Sequence, residues 1–314
     1  MNFLIIGDAL ETLNAKSDTS LYFARTLLSG GDSVVWSKPS ELAWQGIQLS
    51  ASGLSLKKFK RGDIPNSETV NHLSIHDFST IFIRKDPPFN VDYVRLCWLL
   101  MPFEKKIPML NRPQNLLRYH EKMLPFEVCH QGFISEEDLI PQWIVKSKVD
   151  LDRALDEAGG QDFVVKPWLG FGGNKVERMT KSEVSRVSDR FEKEDLILQK
   201  FDPEVLTNGD RRVFFWRGKY IGDFVRMPAS GSMVSNLAQG GSAVKRDLSK
   251  ADQKLIWKIE KFLEASKIDF AGADLIGSRL NEINITSPTG LGAYEDLFGK
   301  DLSIKMMEDL KLHL

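Results

Sequence analysis

The start of the chain alternates strand, helix and strand, and this order constrains the fold more than any other feature. An apolar run, "NFLIIGD", ends in a polar turn. The next stretch, "TSLYFARTLLS", carries apolar residues at helical spacing, and Gly30 and Gly31 end it before "SVVW". A strand, a helix and a second strand in succession predict a parallel sheet. We expect this open α/β domain to continue through the apolar strand in "TIFIRKDPP".

The character of the sequence changes after residue 120. Residues 121–200 contain short strands separated by amphipathic helical stretches. Residues 201–314 contain further strands, a long amphipathic helix and a hairpin. The sequence therefore predicts three domains, at residues 1–120, 121–200 and 201–314.

Composition limits the classes of partner. With 42 basic and 43 acidic residues, the net charge is -1. This balance gives no electrostatic attraction to nucleic acid or to an anionic membrane surface. The two cysteines, Cys97 and Cys129, lie in apolar surroundings and are too few for a disulfide scaffold. The first residues lack a signal peptide pattern, and no apolar run reaches membrane-spanning length. We expect a cytoplasmic protein that binds neither nucleic acid nor membrane.

The segment "FAGADLIGSRLNEINITSPTG", residues 270–290, reads as a hairpin with polar groups among apolar ones. If Gly277–Arg279 is a three-residue loop, Asp274 pairs with Glu282, and Asn284 lies on the same face. A two-residue loop would send Asp274 to the opposite face. Facing carboxylates repel unless a cation neutralises them, and carboxylate and amide oxygens suit magnesium bridging nucleotide phosphates. The alternative is an exposed sheet face that happens to carry polar residues.

The stretch "VVKPWLGFGGNKV" places Lys166 at the end of a strand, followed by Gly170, Gly172 and Gly173. Glycines let backbone N–H groups approach an anion, and a lysine beside them supplies a point charge for phosphate. No "GK[ST]" closes the loop, so it is not a Walker A motif. The alternative is a flexible hairpin with a surface lysine, and this stretch alone does not decide between the two.

Arginines cluster at the ends of two later strands. Arg211 and Arg212 lie in "NGDRRV", and Arg226 lies in "FVRMP". Arginines that face a cleft recognise phosphate or carboxylate groups. The alternative is that they pair with Asp210 or Asp223, and their clustering near the hairpin favours the first interpretation.

Polar turns in the first domain lie at one edge of the expected sheet. Asp18 and Ser20 precede the first helix, where they could simply cap it. Open α/β sheets also bind ligands at such helix N-termini, and Arg84 in "IRKDPPF" ends a strand at the same edge. These residues are therefore candidates for a substrate wall.

These stretches, in this order, resemble the bacterial glutathione synthetases, which are ATP-grasp ligases. The resemblance covers nearly the whole chain, and "RKDPPF" and "NEINITSPT" are its most specific motifs. It implies an α/β fold: an N-terminal open parallel-sheet domain, then a two-domain ATP-grasp unit of α+β type. ATP would lie between a mobile central domain and the C-terminal domain.

The resemblance also implies a role for each matching residue. The residues expected to contact ATP are Lys122, Lys166, Gly170, Gly172, Gly173, Gln199, Lys200, Phe201 and Asp210. The expected ligands of Mg2+, with Mn2+ as an alternative ion, are Asp274, Glu282 and Asn284. The expected catalytic residues are Arg212, Arg226, Asn236, Gly240 and Gly241. The residues expected to face the substrates are Asp18, Ser20, Arg84, Ser287 and Thr289.

The implied reaction is carboxylate activation. ATP phosphorylates the C-terminal carboxylate of γ-glutamylcysteine, and the amine of glycine attacks the acyl phosphate to give glutathione, ADP and phosphate. No covalent enzyme intermediate is needed, so catalysis would depend on positioning and charge neutralisation. The implied partners are small molecules, a dipeptide and an amino acid, and the family suggests a homo-oligomer.

Three positions depart from the pattern of the family. Leu169 stands where an aspartate is usual, Val234 and Ser235 replace an arginine and a glycine, and residues 290–294 differ. We expect residues 230–241 and 290–294 to set substrate preference. An ATP-grasp ligase with another peptide or amine substrate, including one that tags a protein terminus, is therefore an alternative. A catalytically silent nucleotide-binding homologue is another, although the retained carboxylates and lysines favour an active enzyme.

Overall fold

The computed structural model describes residues 1–170 and 173–314. Within these residues the strands form a seven-stranded, a four-stranded and a five-stranded sheet, which we call the N-terminal, central and C-terminal sheets. The N-terminal sheet comprises β1 (Asn2–Gly7), β2 (Ser33–Ser37), β3 (Leu42–Gln45), β4 (Gln48–Leu56), β5 (Ser67–Ser74), β6 (Thr80–Arg84) and β7 (Met109–Leu110). The helices of this part are α1 (Thr19–Ser29), α2 (Val91–Leu100), α3 (Pro113–Arg118) and α4 (Leu124–His130).

The predicted parallel opening is confirmed, because β1 pairs in parallel with both β2 and β6. Strand β1 is apolar and buried from Phe3 to Ile6 because both faces of a parallel sheet are covered. Phe3 and Ile5 pack with Phe23 of α1, whereas Leu4 and Ile6 pack on the opposite side with α2. The strands β3, β4 and β5 extend the sheet with antiparallel pairs.

The central sheet is antiparallel, in the order β10-β9-β11-β8, and has its own hydrophobic core. Its strands are β8 (Gln142–Val145), β9 (Asp162–Pro167), β10 (Glu177–Thr180) and β11 (Leu196–Lys200). Its helices are α5 (Lys148–Ala158), α6 (Lys181–Arg186) and α7 (Arg190–Lys193). Phe163 and Val165 of β9 pack against Leu151 and Leu155 of α5. Strand alternation turns Val164 and Lys166 to the other face.

The C-terminal sheet is antiparallel, in the order β14-β13-β12-β15-β16. Its strands are β12 (Asp210–Trp216), β13 (Lys219–Met227), β14 (Ser242–Val244), β15 (Phe270–Ile276) and β16 (Arg279–Asn284). The helices of this part are α8 (Glu204–Asn208), α9 (Lys250–Ser266), α10 (Leu291–Phe298) and α11 (Leu302–Lys311). Leu275 and Ile283 pack on Ile259 and Phe262 of α9, so that face of the sheet is buried as expected.

The N-terminal and C-terminal sheets share their hydrophobic clusters, and a buried amide links their backbones. The Asn111 side-chain amide donates to the carbonyls of Phe270 and Ile285 at 2.6 and 2.7 Å. Its oxygen accepts from the Asp269 and Phe270 N–H groups. The two sheets are therefore packed together, while the central sheet keeps a separate core. Across the described residues, no helix combines the length and apolar character needed to cross a membrane.

Candidate active site

A cavity of about 570 Å³ lies between the central and C-terminal sheets and gathers most of the residues predicted from the sequence. The predicted residues that line it are Lys122, Lys166, Gly170, Gly173, Gln199, Lys200, Phe201, Asp210, Arg212, Arg226, Asn236, Asp274, Glu282, Asn284, Ser287 and Thr289. Gly172 lies outside the described residues. Residues far apart in the chain thus converge on one space.

The hairpin of β15 and β16 brings the expected metal ligands together, but not through the expected loop. Its turn consists of Gly277 and Ser278, both with φ near +55°, so the three-residue loop was wrong. A β-bulge shifts the register between Asp274 and Leu275, and Asp274 still pairs with Glu282. The bulge supplies the residue that the shorter loop omits. The predicted pairing is therefore confirmed for a different physical reason.

Four buried charges form a network on the cavity face of the C-terminal sheet. Arg212 donates from Nε and Nη2 to the two oxygens of Asp274, at 2.6 and 3.1 Å. Arg226 binds Asp210 at 2.5 and 2.8 Å and also lies 3.0 Å from Asp274. Burial favours the neutral form of Asp274, but the two guanidinium charges outweigh it and hold the pKa of the carboxyl below its ordinary value. A metal bound at Asp274 would share this carboxylate with the arginines.

Arg211 lies on the opposite face and makes structural contacts. It pairs with Asp223 and donates to the backbone carbonyls of Arg246 and Asp247, both at 2.9 Å. The alternative pairing is thus observed for Arg211 with Asp223 and for Arg226 with Asp210, although Arg226, like Arg212, also lines the cavity. Strand alternation alone separates the two neighbouring arginines.

Two lysines enter the cavity from different segments. Lys122 Nζ donates to the Gly170 carbonyl and lies 3.5 Å from Glu282 Oε1. Lys166 Nζ donates to Asn281 Oδ1 at 3.1 Å. Burial lowers the pKa of Lys166 to about 8; the Glu282 carboxylate opposes this shift and the Lys122 charge adds to it. The cavity thus holds cations suited to phosphate beside carboxylates suited to a divalent ion.

The Gln199 side chain provides a test of whether the cavity fits a nucleotide. Its Nε2 donates to Asn281 Oδ1 at 3.0 Å, which leaves Oε1 as the acceptor end. This oxygen is buried and has no hydrogen-bond partner within residues 1–170 and 173–314. An unpaired buried acceptor is costly, and a donor such as the amino group of adenine would satisfy it. The residues present therefore fit the expected base.

The glycine loop and the loop around residue 234 touch at the mouth of the cavity. Gly173 has φ +81°, and a Cβ there would lie 2.7 Å from Val234 Cγ1 and 3.1 Å from Gln239 Nε2. Glycine is therefore required both by backbone conformation and by the close approach of the second loop.

The substrate-facing residues predicted in the first domain lie outside the cavity lining. Asp18 caps α1 by accepting from the N–H groups of Ser20 and Leu21, as the structural alternative proposed. Arg84 is buried and donates to Ser20 Oγ and to the Pro288 carbonyl, each at 3.0 Å. Asp18 therefore supports α1, and Arg84 supports the segment that follows β16.

Two predicted glycines shape a loop without lining the cavity. Gly240 has φ +89°, and a Cβ at Gly241 would lie 2.4 Å from the Ser235 carbonyl oxygen. Both glycines thus permit the tight fold of the loop that presents Asn236 to the cavity. Residues 290–294 also lie outside the lining of the cavity. The prediction that they set substrate preference is therefore not supported by a contact with the cavity.

Glu121 and Asn281 are among the polar residues that line the cavity and that sequence reasoning missed. Asn281 accepts from both Lys166 and Gln199, so it joins the central sheet to the hairpin bulge. Glu121 accepts from the backbone of Ile285. Burial, and then the negative charge of Glu282, raise the pKa of the Glu121 carboxyl. Neither residue belongs to a periodic pattern, and a bulge leaves no mark in the sequence.

No three acidic, histidine or cysteine side chains in the described part of the chain cluster at metal-ligand spacing. A metal site here would therefore depend on two carboxylates and one amide, those of Asp274, Glu282 and Asn284. Asn284 Nδ2 lies 3.3 Å from Asp274 Oδ2, and Glu282 pairs with Asp274 across the hairpin, so the three residues are neighbours on one face of the sheet. This oxygen-rich set fits a hard divalent cation with open positions for water and phosphate.

Comparison with known proteins decides the family. Residues 1–117 match the model described as the N-terminal domain of prokaryotic glutathione synthetase, and residues 132–299 match its ATP-grasp domain. The chain belongs to the prokaryotic glutathione synthetase family. It is an ATP-dependent ligase of the ATP-grasp type, a class that implies ATP and a divalent metal.

Relatives of this glutathione synthetase family member match it along its whole length. The glutathione synthetase of Prochlorococcus marinus is 31% identical over an alignment of 317 positions, which covers 99% of each chain. That of Rhodopseudomonas palustris is 27% identical and covers 96% of this chain and 95% of its own. The family resemblance inferred from the motifs is therefore confirmed.

Solved structures confirm the fold. D-cycloserine synthetase DcsG superposes with a TM-score of 0.66 at 14% identity, over 98% of both chains. The ATP-grasp ligase PsnB, solved with a minimal precursor, Mg and ADP, gives a TM-score of 0.64 at 11% identity and covers 99% of this chain and 97% of its own. At such low identity these likenesses concern the ATP-grasp architecture alone.

Proposed function

We propose that this protein is a glutathione synthetase that joins the C-terminal carboxylate of γ-glutamylcysteine to the amine of glycine. The reaction consumes ATP, proceeds through an acyl phosphate and releases ADP and phosphate. The observation that carries the proposal is the convergence, in one cavity, of Lys122, Lys166, Arg212 and the Asp274–Glu282 pair. This arrangement occurs in a chain that matches the family along its whole length.

The chain would bind the nucleotide between the central and C-terminal sheets. Gln199, Lys200 and Phe201 would hold the base, and Lys122 and Lys166 would neutralise phosphate charge. Asp274, Glu282 and Asn284 would hold Mg2+, which suits their oxygen ligands better than a softer ion. The bound ion would supply positive charge to the phosphate oxygens.

The arginines would bind the reacting end of the donor substrate. Arg212 also donates to the Thr289 carbonyl at 3.1 Å, so its guanidinium is fixed by two elements before any ligand binds. A preorganised guanidinium stabilises negative charge as it develops on the acyl phosphate without reorganisation. Contact between the loops at Gly173 and Val234 would exclude water from this intermediate.

Three broader features belong to the same proposal. We place the domains at residues 1–120, 121–200 and 201–314, with the central one as a mobile lid over the nucleotide. Cys97 and Cys129 are free thiols, which supports a reducing, cytoplasmic location. The resemblance to the family suggests a homo-oligomer, which light scattering on the purified chain would test.

The function is tested by ADP release with γ-glutamylcysteine and glycine, compared with other dipeptide and amine pairs. We expect the named pair to give the highest kcat/KM, and mass spectrometry to identify glutathione. Turnover with another pair alone would favour a ligase of different specificity. Binding of Mg-ATP without turnover of any pair would favour the silent homologue.

ATP affinity should depend on the ionisation of Lys166. The pKa of this side chain is about 8 in the free protein, and bound phosphates would raise it. Because the protonated form binds ATP better, the association constant should be constant below pH 8 and fall above it by up to about tenfold per pH unit. Calorimetry from pH 7 to about pH 9.5 at fixed Mg2+ measures this, and K166R should remove the decline because arginine stays charged.

Val234 should influence recognition of the dipeptide. The family usually carries arginine there, so Val234→Arg should add a cation beside the anionic donor. We expect the KM for γ-glutamylcysteine to fall by about threefold or more, which is typical of one added charged hydrogen bond. Steady-state kinetics measures this effect. Val234→Leu is the matched control, and an equal shift in both variants would contradict a role for charge.

A further inference from the structure

Glu121 is a half-buried carboxylate to which the reaction described above assigns no role. One oxygen, Oε1, accepts from the N–H groups of Ile285 and Thr286 at 2.7 and 2.9 Å, and from Thr286 Oγ1 at 2.8 Å. Ionised acceptors of this kind make stronger hydrogen bonds than neutral ones. Three donors on this one oxygen fix the carboxylate to the backbone that follows β16.

The segment that Glu121 holds follows directly on the proposed metal ligands. Asn284 is the last residue of β16, and Ile285 and Thr286 come immediately after it. Beyond them, the backbone carbonyls of Pro288 and Thr289 accept from Arg84 and Arg212. Glu121 therefore fixes the donors at the beginning of the segment, while two arginines fix the acceptors at its end.

The sequence position of Glu121 adds a second constraint. Its neighbour Lys122 lies 3.5 Å from Glu282 and donates to the Gly170 carbonyl. Two adjacent residues thus contact the hairpin region at different points. Glu121 binds the backbone after β16, and Lys122 lies beside the Glu282 carboxylate. The rigid backbone between them sets the distance of Lys122 from the hairpin.

We propose that Glu121 is a positioning residue, which rests on the proposed function of this site. By anchoring Ile285 and Thr286, it holds the Asn284 side chain beside Asp274 and keeps the hairpin ready to bind a divalent ion with the nucleotide. In this role it acts through the backbone that carries Asn284.

The test compares Glu121→Ala with Glu121→Gln, which keeps an acceptor oxygen of the same reach. Calorimetric titration of ADP at several free Mg2+ concentrations measures the ion requirement without any turnover. In Glu121→Ala we expect half-maximal binding to need about tenfold more Mg2+, and in Glu121→Gln less than about threefold more. Glu127→Ala is the matched control, because Glu127 lies on α4 and pairs with Arg118 and Gln131.

Hydrogen exchange provides a readout that needs no ligand. The amides of Ile285 and Thr286 should exchange at least about tenfold faster in Glu121→Ala than in the unchanged protein, with rates in the α9 core unaltered. An equal Mg2+ requirement in all variants would overturn the proposal, as would unchanged exchange at these amides. If Glu121→Ala does not fold, Thr286→Val removes one donor in its place and should raise the Mg2+ requirement about threefold; no change there would also overturn it.

These outcomes are distinct from failure of the proposed function. A protein that binds Mg-ADP with the expected dependence on Glu121, yet forms no glutathione, would refute the substrate assignment and leave the positioning role standing. A protein that forms glutathione equally well in all variants, with unchanged Mg2+ dependence, would refute the positioning role of Glu121 and leave the substrate assignment standing.

Discussion

Glu282→Gln is expected to reduce ligase turnover by at least about 100-fold while the protein remains folded. The substitution removes a negative charge from the proposed ion site but keeps the size and shape of the side chain. Glu282 is partly exposed and its ionic partner Lys122 lies 3.5 Å away, so the folded state loses little. Initial-rate assays at saturating ATP measure turnover, and thermal melting should shift by less than about 3 °C.

Glu137→Gln is a matched control, because Glu137 is exposed and lies outside the cavity lining. Near-normal activity in Glu282→Gln would refute the metal assignment.

Asp274→Asn should abolish turnover as well, but it should also destabilise the fold, so it is a less specific test than the sequence suggested. Asp274 is buried between Arg212 and Arg226, and loss of its charge should cost about 3 kcal/mol of the free energy of unfolding.

Arg212→Lys should lower kcat by about 100-fold with a much smaller change in the KM for ATP. Lysine keeps the positive charge but cannot donate at once to both oxygens of Asp274 and to the Thr289 carbonyl. The lysine ammonium would then lie away from the position at which negative charge develops on the acyl phosphate. Steady-state kinetics with separate titration of each substrate distinguishes the two parameters.

The neighbouring Arg211→Lys is the matched control on the other face of β12. Arg211 binds Asp223 and two backbone carbonyls away from the cavity. Its substitution should lower thermal stability and leave kcat within about threefold. If both variants lose activity equally, Arg212 has no special role in catalysis.

The sequence predicted most of the architecture because its patterns are local. The alternation of strand and helix determines the parallel pairing of β1, β2 and β6, and amphipathic spacing identifies α5 and α9. It also predicted that Asp274 and Glu282 pair, although it did so from a three-residue loop that the structure replaces with a two-residue turn and a bulge. One of the amphipathic stretches predicted in residues 121–200 is interrupted in the structure. Residues 181–193 form the two short helices α6 and α7, with residues 187–189 between them.

What the sequence could not predict depends on contacts between distant segments. The bulge in β16 is set by packing on both faces of the sheet, and no residue type announces it. The first-domain residues Asp18 and Arg84 sit at the correct sheet edge, but only the tertiary fold shows that their partners are α1 and the Pro288 carbonyl. Glu121 acts on backbone 164 residues away, a distance at which single-sequence patterns carry no information.

The separate core of the central sheet determines what ligand exchange costs. To admit a nucleotide, the protein must part polar links such as those of Asn281 with Lys166 and Gln199. Water replaces such hydrogen bonds at a net cost of about 1 kcal/mol each, whereas separating a shared apolar core would cost several times more. We therefore expect substrates to enter and products to leave when a few hydrogen bonds at the cavity are exchanged for hydrogen bonds to water. The hydrophobic cores of the central and C-terminal sheets would stay closed.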